Sequence, residues 1–136
     1  MTRTIDKFFA CTLSGCILTI INLAFGKVDY SLIFLCLCMV TDFATGLMCG
    51  AFEHKLSSSI CIKGLMKKFM ILVYVMLAHH LDVLLGVDYV KVGVCYMYAI
   101  GEVLSIIENG VILGLPVPTP IKKALEMING GDEHES

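Results

Sequence analysis

Apolar positions gather into four runs, at residues 8–25, 30–52, 69–87 and 92–115. Each is close to the roughly 20 residues a helix needs to cross a bilayer. None shows the strict alternation of a membrane barrel strand, so all four predict helices. The connections at 26–29 (GKVD) and 88–91 (DYVK) are tight turns. They pair the first run with the second and the third with the fourth, as two helical hairpins. The middle connection, "EHKLSSSICIKGLMKK", is longer and basic. Its serines, Ser57 to Ser59, offer N-caps for a helix that runs on into the third span. Ile62, Leu65, Met66 and Phe69 share one face of that segment and Lys63 and Lys67 another, the pattern of an interfacial turn.

The prolines of "PVPTP" end the fourth run. Residues 120–128 then place Ile121, Leu125 and Ile128 on one face, which predicts a short amphipathic surface helix. Residues 129–136 are polar, acidic and Gly-rich, and predict a disordered tail. The expected fold is an all-α membrane domain over 1–128, with four transmembrane helices and a C-terminal surface helix.

Composition strengthens this picture. Hydrophobic residues make up 57% of the chain, charged residues 16%, and the mean hydropathy is +0.85. A soluble domain of this size would carry far more charge. The net charge of −2 gives no electrostatic reason for a nucleic-acid partner. Six of the seven cysteines fall inside apolar runs and only Cys61 in the polar connection, so free thiols are expected rather than a disulfide framework. Lys and Arg orient the spans. Eight of the ten lie in the N-terminal segment, the middle connection or the C-terminal segment, and two, Lys27 and Lys91, in the tight turns. Both termini are therefore expected in the cytoplasm. The start, "MTRTIDK" before an apolar stretch, has the outline of a signal peptide. The stretch is long for one, and no small-x-small cleavage site follows it.

The polar residues inside the spans are the candidate chemistry. Asp42 and Glu102 fall near the middle of the second and fourth runs, and His79 and His80 near the middle of the third. Similar depth makes the histidines and Glu102 the expected neighbours of Asp42. Asp82 lies further out, and Glu108 and Asn109 further in. A charged side chain at the bilayer midplane costs at least ~3 kcal/mol, so these groups should face protein or water. One reading has them paired or protonated, fixing helix packing. The other has them lining an aqueous path. A proton relay would need a chain of titratable groups across the bilayer, whereas these cluster at the middle. Thr45, Gly46 and Gly50 share a stripe with Asp42; Glu102 and Gly110 share one with Ser105 and Asn109 at its flank. Small, polar stripes let helices approach closely, within one chain or between copies. No P-loop, GxSxG or HExxH motif is present. "HHLD" could offer a metal two ligands and lacks two more. No enzyme, cofactor or metal chemistry is expected.

Three segments carry a family resemblance. "TDFATGLMCGAFEHKLSSSICIKGLMKK" (41–68), "LDVLLG" (81–86) and "EVLSIIENGVILGLPVP" (102–118) together resemble the toxin secretion/phage lysis holins. That group includes the holin-like proteins encoded beside large clostridial toxins. The likeness runs over roughly residues 28–128. It implies a phage- or prophage-type protein of the bacterial cytoplasmic membrane that self-associates and opens a lesion. An endolysin, or a toxin lacking a signal sequence, leaves through it without specific binding. The family-like positions are Asp42, Thr45, Gly46, Glu102, Ser105, Glu108 and Asn109. The expected partners are the lipid bilayer, further copies of the chain and an antiholin. Two other readings stay open: an antiholin or similar regulator, and a small ion channel or transporter subunit.

Overall fold

The structure is a computed structural model, and it describes residues 2–55, 57–121 and 123, with side chains from residue 12 onward. Among these residues there are only helices and connections. The four long helices are α1 (Thr2–Phe25), α2 (Tyr30–Phe52), α3 (Ser58–Leu85) and α4 (Val90–Ile112). Two of them, α2 and α4, are long and apolar enough to cross a membrane by length and composition. The third carries Lys63, Lys67, Lys68 and Asp82, which lower its mean hydropathy.

Local chemistry sets the helix ends. Asp29 caps α2, accepting from the Leu32 amide at 3.0 Å. Ser57 caps α3, accepting from the Ile60 amide at 3.3 Å. The α3 helix thus starts in the serine-rich connection, well before the apolar run at 69, and takes Cys61 and Lys68 with it. A paired-bond stop ends α4. The Leu115 amide donates to the Gly110 carbonyl and the Gly114 amide to the Val111 carbonyl, both at 2.9 Å. Gly114 makes this possible with φ +85°, a conformation that disfavours other side chains. The helix therefore stops short of the apolar run's end at 115.

Each of α2, α3 and α4 presents one seam to the others, with spacings of three and four residues that alternate along α3. In α3 the seam is Cys61, Gly64, Lys68, Ile71, Val75, Ala78 and Asp82, the last four buried. Leu32, Leu35 and Met39 of α2 meet Ile71 and Val75 of α3 and Cys95 and Ala99 of α4 in the core. Such spacing keeps a seam facing its partner along the helix. The most extensive packing is between α2 and α4, followed by α3 against α4. Contacts advance together along α2 and α4, from Asp29–Lys91 at one end to Cys49–Asn109 at the other, so the two run parallel. With α3 antiparallel to both, the bundle has a turn end, at 26–29 and 86–89, and a loop end, at the α2–α3 connection.

The expected pairing of the first two helices as a hairpin is corrected. The α1 helix leaves its turn along α3, not along α2. Two contacts direct it. Lys91 grips the turn by donating to the carbonyls of Phe25 (3.3 Å) and Lys27 (2.9 Å). The His79 ring fills the space beside Gly26, where any Cβ would overlap it. Most described side chains of α1 are exposed. Of the expected surface helix, residues 119–121 and 123 are helical. The rest of it, and the tail at 129–136, lie outside the described residues.

Candidate functional site

Two polar clusters interrupt the apolar seams. At the turn end Asp82, from α3, accepts the Val90 amide at 2.9 Å and the Lys91 amide at 2.8 Å. It caps a helix on another element, satisfying two amides that lack intrahelical partners. Lys91 in turn pairs with Asp29 Oδ2 at 2.8 Å while holding its two carbonyls. Its three N–H donors thus have three acceptors. Ser31 donates to Asp29 Oδ1 at 2.7 Å. Burial raises the Asp29 pKa, but the hydrogen bonds from Lys91, Ser31 and the Leu32 amide outweigh it and hold it down at about 2.

The second cluster joins three helices. Lys68 Nζ, from α3, meets Asp42 Oδ2 of α2 at 2.7 Å and also Glu102 Oε2 of α4. All three are largely shielded, with side-chain exposures of 11%, 17% and 6% respectively. Asn109 Nδ2 donates to Asp42 Oδ1 at 3.2 Å and to Thr45 Oγ1 at 3.0 Å. The Cys49 thiol donates to the Asn109 carbonyl at 3.2 Å. Among the described residues no buried side-chain nitrogen or oxygen lacks a partner. The cluster still holds two carboxylates for one ammonium. Low polarity makes such attraction strong, yet desolvation offsets much of it, so the triad specifies which faces meet more than it adds stability.

A cleft of about 350 Å³ leads from the triad toward the loop end. Asp42, Lys68, Ser105 and Asn109 line its depth; Glu53 and Lys55, an exposed pair at 3.4 Å, line it toward the connection. Gly46 and Gly50 form part of its wall. A Cβ at Gly46 would rest 3.8 Å from Asn109 Nδ2, so this part of the stripe faces α4 of the same chain.

Of the expected site residues, Asp42, Thr45, Glu102 and Asn109 belong to this one network, with Ser105, Gly46 and Gly50 around it. His79 and His80 do not join them. Their rings lie 5.3 Å apart on α3, with His79 lining a separate cleft of about 460 Å³ beside Asp29, Asp82 and Lys91. The depth estimate failed because it centred the third span on its apolar run. Measured from the turn end at 1.5 Å per residue, Asp42 lies about 18 Å along α2 and His79 only about 9 Å along α3. Glu108 is exposed, outside the network. Gly110 packs against Leu115 at its own helix end. No group of three or more His, Cys, Asp or Glu side chains among the described residues is placed to hold a metal.

Lys68 is the residue the sequence reading missed. It counted as a loop cation because the apolar run begins one residue later. The signal was its place on the alternating seam, seven residues after Cys61 and seven before Val75.

The model of the bacteriophage holin family matches residues 19–130. Curated relatives include the uncharacterized protein Lin0175 of Listeria innocua, 35% identical over 114 residues, or 82% of this chain and 81% of that one. The "Uncharacterized 14.9 kDa protein in nagH 3'region" of Clostridium perfringens is 36% identical over 113 residues, covering 82% and 86%. The uncharacterized protein Lmo0128 of Listeria monocytogenes is 33% identical over 114 residues, covering 82% and 81%. No solved structure matches.

Proposed function

The chain belongs to the bacteriophage holin family, which is not an enzyme family, and from that premise we propose that it is a holin that permeabilises the bacterial cytoplasmic membrane by self-assembly. The family match over residues 19–130 is the observation that carries this reading. In it all four helices cross the membrane, with both termini and the α2–α3 connection in the cytoplasm. The crossing of α3 is supported by its polar groups, since Lys68 is matched by Asp42 and Glu102 and Asp82 lies at the turn end. A charge so paired no longer faces lipid alone.

The triad gives the assembly two states. In the single chain, Lys68 holds α3 against α2 and α4 and hides the carboxylates. When copies associate, α3 separates from that pair, and the polar seam around Asp42, Thr45, Glu102, Ser105 and Asn109 turns to the water of the lesion. An endolysin, or a toxin without a signal sequence, then escapes through it.

The test is induction in a bacterium that holds an endolysin in its cytoplasm, with turbidity followed over time. Abrupt lysis after a delay is expected. Slow growth arrest with the endolysin retained would overturn the reading and favour a small channel. Delay of lysis by a second, independent holin would identify an antiholin instead.

A further inference from the structure

The α3 helix has 28 residues, against 23 in α2 and in α4. At 1.5 Å per residue the excess is about 7 Å. Asp82, three residues before the end of α3, meets the first residues of α4, and Lys91 ties that point to the start of α2, so the last turn of α3 takes up much of the excess at the turn end.

At the loop end the first turns of α3 have three faces. Cys61, Gly64 and Lys68 look into the cleft. Ile62, Leu65, Met66 and Phe69 are exposed by 58 to 65%. Lys63 and Lys67, one turn apart, are exposed on a third face. Neither has an ion-pair partner among the described residues, and the nearby Glu53 is paired with Lys55. An apolar face beside two unmatched ammonium groups suits the level where hydrocarbon gives way to headgroups. Long lysine stems let the charge reach that level while the methylenes stay in the apolar layer.

We propose that this end of α3 is a docking surface for anionic phospholipid. Lys63 and Lys67 hold the headgroup phosphate, and Ile62, Leu65, Met66 and Phe69 lie among the acyl chains. The inference rests on the membrane-spanning reading above. An acidic protein would match the lysines but leave the flanking apolar face in water, which is why lipid is the better occupant.

The probe is spin-labelled phosphatidylglycerol, compared with spin-labelled phosphatidylcholine, in phosphatidylcholine vesicles holding the full chain. The wild type is expected to enrich phosphatidylglycerol at its surface. Replacing Lys63→Gln and Lys67→Gln together should lower that preference about fivefold or more. High salt should lower it in the wild type, a check independent of any variant. Lys27→Gln, at the turn end, should retain it. A wild type indifferent to phosphatidylglycerol, or a double variant with undiminished preference, overturns the proposal; indifference would direct attention to an acidic protein. Protein that washes off the vesicles in alkaline carbonate refutes the membrane-spanning reading instead.

Discussion

At the turn end Lys91 meets one carboxylate and two backbone carbonyls; midway along the bundle Lys68 meets two carboxylates on two different helices. The first arrangement is balanced. Asp29 and Asp82 also cap helix starts, so their charges do work that no other partner could release. The second is one ammonium short. It lies beside a cleft and bridges three elements: Lys68 ties α3 in, while Asn109 also joins α4 to α2 there. The difference suggests that one cluster fixes the helix ends while the other decides whether α3 stays docked.

The sharpest way to break this comparison is Lys68→Met. It leaves Asp42 and Glu102 facing each other with no cation, and should cost about 3–5 kcal/mol of stability. Unfolding in detergent, followed by circular dichroism, reads the loss; an unchanged midpoint would show that the triad is not a clasp. Next comes Lys91→Met, which deprives Asp29 and two carbonyls near the surface of a donor. A cost of about 1–3 kcal/mol is expected, below that of Lys68→Met. A reversed order of the two would invert the roles assigned to the clusters.

Acid probes the turn end more gently. Asp29 ionises at about 2 in the fold against 3.8 for the free group. A depressed carboxylate contributes stability that is present above pH 3.8 and is lost as pH falls toward 2. Melting temperatures of the wild type should therefore drop over that window more steeply than those of Asp29→Asn. Parallel curves would remove Asp29 from the account. The smallest effect is expected of Gly46→Ala. The new methyl meets Asn109 at ordinary contact distance, and Ala favours a helix over Gly by about 1 kcal/mol. Stability should hold or rise; a clear loss would mean that α2 and α4 approach more closely than this.

Much of the fold was legible along the chain. Four apolar runs became four helices, and Ser57 marked a helix start where a serine cluster predicted one. Asp42, Thr45, Glu102 and Asn109 were legible as polar residues on helix seams. Their counterpart Lys68 was not, because hydropathy averages over a window and the second of two adjacent lysines at a run's edge reads as loop. Likewise the histidines looked central only while the apolar run stood in for the helix.

The sequence by itself determined where helices form and that α2 and α4 carry stripes of small and polar residues, since both follow from spacing, caps and breakers within a few residues. Only the tertiary structure decided that α1 follows α3, that Asp82 caps α4, and that one lysine serves Asp42 and Glu102. Those partners stand 26 and 34 residues from Lys68 along the chain. Their meeting depends on how far each helix is shifted along its neighbours, and that register is set by the contacts at the turn end, not by any local pattern.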